Sequence, residues 1–550
     1  MSKLANICNE LYQKRARICF VIFCIGSFFY AVKTGMALEA KHTGTALKIL
    51  FPTIFALTTI LITSVTGIVF FRSKTLAPQK HFVLLFSTFG ILYLLIVPTW
   101  ATHDAYNHWF RILEISHGHF ISAVDPESGR GGQYLPVTSI PSTYPRFGDA
   151  NDTYASFASD HSRHLQNTQS LWIEFPNIAL YSPITYLFHV PGVWLAQLVT
   201  DRLFIVSYAG RFSAFIFSLA ILYIAVRCIP ERKKTFVFLT MSPLFLVESV
   251  NLSGDVLINT VLCASVAFTF YYSSTAIIRL SRRDYGLLGL LSFLIALGKI
   301  VYLPFVAIFF LIPETKFASK KHRKFFLWTL FILAVLLNIW WLSIAHNFRI
   351  GYREGTNSQT QVHFLLNNPV SFALISLKTY AANFSNYVKP ILGTSLGLKY
   401  IPFNNMLFRF SVICLLCLVL AEPSMKNFIG ANKKRYILFG GTILATVAMV
   451  TTSLWVQWTR VGSEIIEGIQ GRYFIPVIVL FVLALPNIAL SFKAAFEKCK
   501  FKLCLSDTGI LFSVTEKKLY LSVDDIYRAG LLVYATSTLY TLGWVMRFFA

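Results

Sequence analysis

The sequence predicts an all-α, polytopic membrane protein, and three observations carry that prediction. Of 550 residues, 55% are hydrophobic, 16% are aromatic and only 13% are charged, against about 25% charged in ordinary soluble chains. The apolar residues fall into runs close to the ~20 residues that a helix needs to cross a bilayer. The basic residues gather in short clusters between those runs. In hydrocarbon each backbone polar group must be satisfied inside its own segment, which leaves the helix as the spanning element for runs of this length.

In chain order the expected spans are 17–38, 46–71, 82–98, 204–228, 235–250, 256–278, 285–298, 300–313, 325–344, 404–421, 436–456, 473–490 and 529–546, about 13 in all. The first has a basic flank in Lys14, Arg15 and Arg17 and no small-residue cleavage site, so it reads as a retained helix and not a removed signal. With the N-terminus placed in the cytoplasm, the loops assigned inside hold 30 of the 49 Lys and Arg. That bias sets the orientation.

The stretch 178–199, IALYSPITYLFHVPGVWLAQLV, is the ambiguous element. If it crossed, Arg232, Lys233 and Lys234 would fall outside and every later basic loop would invert. It is therefore expected in the interface, broken by Pro183, His189 and Pro191.

The chain then divides into N-terminal spans (1–98), a first long outer loop with a juxtamembrane helix (99–203) and spans (204–344). A second outer loop (345–403) includes the amphipathic FALISLKTYAANFSNYV; further spans (404–490), a basic inner segment (491–528) and a last helix (529–550) follow. Within 491–528, LCLSDTGILFSVTEKKLYLSV reads as a short hairpin or helix.

A formal charge of +24 raises nucleic acid as a partner, but such binding needs the cations on one compact face. Here they alternate with apolar runs, the pattern of loops drawn to anionic membrane lipid. The nine cysteines lie in spans or basic loops, none in 101–200 or 345–402, so no disulfide framework is expected outside; Cys414 and Cys417 form a CxxC within an apolar run, where a packing role outweighs a redox one. The sequence holds no GxxxxGK[ST], HExxH or GxSxG.

Candidate chemistry clusters at the outer boundary. In HDAYNHWFRILE, helical spacing puts Asp104, Asn107, His108 and Arg111 on one face. The alternative is a solvated helix start with Asp104 near the N-cap. Asp255 in VNLSGDVLIN, Lys299 in IALGKIVYLP, and Arg460, Glu464, Glu467, Arg472 and Tyr473 in WTRVGSEIIEGIQGRYFIP fall at the same boundary. Ionisable groups there are functional candidates, although Lys299 by itself also fits simple snorkelling. Gly129, Gly131 and Gly132 make either a backbone anion nest or a plain turn. Asp255, Glu464 and Glu467 offer oxygens to a divalent metal, but solvated carboxylates are the commoner case, so no metal site and no cofactor are assigned.

The segments HDAYNHWFRILEISHGHF, GGQYLP, LYSPITYLFHVPG, NLSGDVLIN, ALGKIVYLP and IQGRYFIP, in that order, resemble a bacterial family of predicted membrane proteins of unknown function. That family is similar in layout to the GT-C glycosyltransferases, which use polyprenyl-phosphate sugars. The resemblance spans roughly residues 80 to 490. It implies Asp104 as the catalytic base, 178–199 as the juxtamembrane helix, and Arg472, Tyr473 and Pro476 as a late element near the donor. Lys299 follows as a phosphate contact. The acid here comes after the third span, where GT-C enzymes often place it after the first, and it is flanked as His-Asp-Ala.

These expectations combine into an inverting transferase of the bacterial cytoplasmic (inner) membrane. A polyprenyl-phosphate sugar would enter from the lipid, its phosphate held by Lys299, Arg472, Tyr473 and Arg460. A glycan acceptor, such as O-antigen or a wall polymer, would meet Asp104, with His108, Arg111, Asp255 and Glu464 as further substrate contacts. The alternatives are a flippase for a lipid-linked glycan, or a polymerase or ligase with a diphosphate-linked donor.

Overall fold

The computed structural model describes residues 2–42, 44–102, 104–144, 153–166, 169–345, 353–396, 401–423, 433–485, 501–506, 509–514 and 517–550. The end of the 473–490 run, the stretch 491–500 and most of GDANDT lie outside the described residues.

Among the described residues, eight helices are long and apolar enough to cross a membrane: Lys14–Lys41, Thr45–Phe71, Pro78–Ile96, Leu203–Cys228, Asp255–Ser273, Lys320–Ala345, Lys434–Gln457 and Val523–Phe549. The protein is thus a mostly helical, multi-pass membrane protein. Three further expected spans are shorter apolar helices, at Ile300–Leu311, Asn405–Ala421 and Gly471–Ala484. The run 285–298 is the 17-residue helix Arg282–Gly298. The run 235–250 is not one helix: Ser242 caps a new start at Pro243, giving Lys233–Thr240 and Pro243–Ser249. Proline lacks the N–H that would continue the first helix and suits the first turn of the second.

No continuous helix runs through 178–199. It forms a turn at Pro183–Tyr186 and the short helix Val190–Gln197. The latter lies so close to Leu203–Cys228 that a Cβ on Gly192 would meet Ala209 O at 2.2 Å. The amphipathic part of the second loop is the helix Pro369–Leu392.

Among the described residues, two small antiparallel sheets add to the helical frame. In the first loop, Ala123–Val124, Gly131–Pro136 and Ser170–Glu174 pair in that order, with Gly132 opposite Glu174. Gly131 and Gly132 are therefore strand residues and not part of a turn, and the plain-turn reading holds only for Gly129 (φ 65°), which turns the chain into them. Near the C-terminus, Phe501–Ser506, Gly509–Val514 and Lys517–Ser522 form a three-strand meander where a hairpin or helix is expected.

Pairing of the first and last helices fixes the two ends of the bundle. Arg15 bonds Asp525 at 2.6 Å, while Lys41 donates to the carbonyls of Arg547 and Phe548 at 2.8 and 3.0 Å. At the second of these ends the short loop helices gather, and there the site forms.

Candidate functional site

The site begins with helix ends. The helix Asp255–Ser273 starts where Arg282–Gly298 stops, so Asp255 and Lys299 reach the same level. The last carbonyls of Arg282–Gly298 lack partners within the helix. Other elements satisfy them: Asn338 Nδ2 donates to Ala296 O at 2.5 Å, Ser182 Oγ to Leu297 O, and Thr185 Oγ1 to Gly298 O at 2.7 Å. Gly254 admits this turn, since a Cβ there would meet Thr185 Cγ2 at 2.3 Å. With its backbone held this way, Lys299 turns inward and its Nζ bonds Asp255 Oδ1 at 2.6 Å, 4.8 Å from the centre of the Tyr181 ring.

Arg472 enters from another element. It precedes the helix Ile475–Ala484 and follows Gly471, where a Cβ would meet Tyr387 O at 2.2 Å. The side chain is 5% exposed and each guanidinium nitrogen faces a different carboxylate: Nη2 to Asp104 at 3.1 Å, Nε to Asp255 at 3.6 Å and Nη1 to Glu248 at 3.8 Å. Two cations thus meet three acids, Glu248 and Asp255 deeply buried and Asp104 with 37% of its side chain exposed.

Asp104 precedes the helix Ala105–Ser116 in the left-handed region (φ 60°, ψ 10°) and makes no side-chain cap bond. That conformation costs a non-glycine residue about 1–2 kcal/mol. It turns the carboxylate away from the helix end and toward Arg472. Asp104 does occupy the N-cap position, as the alternative reading has it, but without a capping bond, and the helix start is not solvated, because Trp109, Phe110, Ile112 and Leu113 are all buried.

His108 lies one turn on, buried, with Nδ1 at 2.8 Å from Tyr186 Oη. Burial pushes its pKa down to about 3, so the ring is neutral near pH 7. Asp104, His108, Tyr181, Lys299, Tyr302, Arg472 and Tyr473 line a cavity of about 270 Å³, together with Ser453, Gln457, Trp458 and Gln470. A space of this size, with acid, base and cation on one wall, suits a small polar group.

The predicted membrane protein family DUF2142 matches residues 84–481. The chain belongs to this family. Every charged residue of the cavity lies inside the matched segment, as do the motifs whose order carries the resemblance. Neither a curated protein nor a solved structure matches the chain. Nothing in these comparisons links DUF2142 to the GT-C glycosyltransferases.

Within this DUF2142 chain, six of the nine sequence-derived site residues converge: Asp104, His108, Asp255, Lys299, Arg472 and Tyr473. The other three do not line the cavity. Arg111 is consumed by its own helix and the loop beyond, bonding Glu114 at 2.5 Å, Ser122 at 3.1 Å and the carbonyls of Phe120 and Tyr181. It braces the loop. Glu464 is an exposed partner of Lys378 at 2.5 Å, and the Arg460 side chain runs along Gly355. The three carboxylates weighed as metal ligands sit apart in the fold, Asp255 with Lys299, Glu464 with Lys378 and Glu467 with Arg353.

Glu248 is the residue that sequence reasoning missed. It was absorbed into an apolar run, yet a carboxylate within FLVESVNLSGD is itself a reason to look for a cation.

Proposed function

We propose that the protein is an integral-membrane glycosyltransferase that moves a sugar from a polyprenyl-phosphate donor to a glycan acceptor at the outer face of the bacterial cytoplasmic membrane, its N-terminus inside. The observation that carries this reading is the division of labour along the cavity wall. One half-exposed carboxylate, Asp104, is held by a buried guanidinium, while the ammonium of Lys299 borders the same space.

The charge count refines the roles. Arg472 hydrogen-bonds Asp104 through Nη2, and its charge is shared with Asp255 and Glu248 at 3.6 and 3.8 Å, so this residue orients Asp104 and has little charge left for a phosphate. Lys299 spends one of its three donors on Asp255, and phosphate contact falls to its remaining protons and to the neighbouring tyrosines.

In the reaction an acceptor hydroxyl oxygen bonds to the anomeric carbon as the bond from that carbon to the phosphate oxygen breaks. Asp104 takes the hydroxyl proton. The electron pair leaves with polyprenyl phosphate, whose growing negative charge Lys299 stabilises. A single displacement of this kind inverts the anomeric centre.

The test is direct. Purified protein is given a polyprenyl monophosphate sugar, and release of polyprenyl phosphate is followed. Release that depends on added glycan acceptor supports transfer. Movement of intact donor between leaflets without release supports a flippase, and turnover of a diphosphate-linked donor alone supports a polymerase or ligase.

A further inference from the structure

At the opposite end of the helices that carry Asp255 and Lys299, cations concentrate in two loops. The helix Asp255–Ser273 has 19 residues and Arg282–Gly298 has 17, which puts these loops ~25–28 Å from the cavity at 1.5 Å per residue. That is about the thickness of bilayer hydrocarbon.

The two loops, 274–284 and 314–324, are fastened together. Leu280 N bonds Lys316 O at 2.8 Å, and Lys316 Nζ donates to the carbonyls of Ser274 and Ile277. The Tyr285 ring packs on Phe326 and His322 with centroids 4.7 and 5.3 Å away. On this joined surface Arg279, Arg282, Arg283, Lys320, Lys321 and Lys324 are all exposed. Its acids offset them little: Asp284 is occupied in capping Ser281 and accepting from Tyr272, which leaves Glu314.

Apolar groups are interleaved with the cations. Ile278 is 88% exposed and Phe325 73%. Along the helix Lys320–Ala345, Lys321, Phe325, Trp328 and Ile332 follow one another at helical spacing on one face, and the last three are all exposed. An ammonium thus heads an outward apolar stripe with a tryptophan near its top, the arrangement of a membrane interface.

We propose that these two loops and the stripe below Lys321 bind an anionic phospholipid of the leaflet opposite the cavity. The cations take the phosphate, and Phe325, Trp328 and Ile332 lie along the acyl chains. Interleaved apolar exposure favours a lipid over a soluble polyanion, because only a lipid brings a hydrocarbon part. This site is independent of the transferase reading.

The full-length protein in neutral detergent is titrated with phosphatidylglycerol, cardiolipin, phosphatidylcholine or water-soluble tripolyphosphate, with bound lipid read by native mass spectrometry and stability by thermal unfolding. The two anionic lipids are expected to stay bound and to raise the midpoint; phosphatidylcholine is not. In Arg282→Gln/Arg283→Gln/Lys320→Gln/Lys321→Gln, retention of anionic lipid should fall at least tenfold, whereas Lys14→Gln/Arg17→Gln, made at exposed cations outside the patch, should retain it. Phe325→Ala/Trp328→Ala should weaken lipid retention without altering the response to tripolyphosphate. Equal retention by the fourfold variant and the parent overturns the proposal, as does tripolyphosphate stabilising the protein as well as lipid does.

Discussion

Arg472→Met removes a group that faces all three acids, Asp104 at the cavity and Glu248 and Asp255 behind it, and its effect can be worked out from the structure. Asp255 keeps Lys299 at 2.6 Å, and Asp104 is exposed enough to be hydrated. Glu248, 6% exposed in its side chain, loses its ion-pair partner and must either hold a buried charge or take up a proton. Breaking a buried pair on one side costs about 3–5 kcal/mol. If the stranded charge is the cause, Glu248→Gln placed on top of Arg472→Met should recover about 1–3 kcal/mol, although Glu248→Gln alone destabilises the parent. The assay is a double-mutant cycle on unfolding in mixed detergent micelles. Additive losses in the double variant, or a loss below about 1 kcal/mol for Arg472→Met, would refute the hub role of the guanidinium.

Three other outcomes follow from the same geometry. Asp104→Asn keeps the size and hydrogen bonding of the side chain, so stability should change by less than about 1 kcal/mol while transfer falls about 10²- to 10⁴-fold; a variant with normal turnover of polyprenyl-phosphate sugar removes Asp104 as the base. Gly471→Ala drives a Cβ to 2.2 Å from Tyr387 O, and the resulting shift of Pro369–Leu392 should cost about 1–3 kcal/mol and displace Arg472; an unaltered unfolding curve argues against that close contact. Burial lowers the pKa of His108 from 6.5 to about 3, so the unfolded chain binds a proton the folded one refuses, and the contribution to stability is complete above pH 6.5 and declines as pH falls toward 3. At pH 5 the deficit is about 2 kcal/mol. Wild type should therefore lose more stability than His108→Gln between pH 7 and pH 5, and parallel losses would show that the ring is not held neutral.

Much of the frame was legible in the chain because its causes are local. Apolar runs of bilayer length must become helices wherever the backbone has no water to bond, and eight of the thirteen expected runs are helices long and apolar enough to span. Where local chemistry competed with apolarity, the outline shifted. Pro243 beside the capping Ser242 breaks 235–250, whereas the short pieces of 178–199 agree with the breaks expected there. The concentration of polar residues at one boundary was likewise readable, since an ionisable group in an apolar chain stands out.

Which of those polar residues meet was not readable, because the partners lie far apart in sequence. Arg472 and Asp104 are 368 positions apart and Lys299 and Asp255 are 44. Spacing on one helix grouped Arg111 with Asp104 and His108, but the fold bonds Arg111 to Glu114 and to the loop beyond it. Boundary depth grouped Arg460 and Glu464 with Arg472, yet their own neighbours hold them away from the cavity. Glu248 joins the cluster from the short helix Pro243–Ser249, which begins at the break, and faces Arg472 at 3.8 Å. Sequence by itself determined which segments are apolar helices and which charged residues stand at their ends. Tertiary packing decided which charges neutralise one another, since ion pairing depends on distances of 3 to 4 Å that helix spacing and hydropathy do not encode.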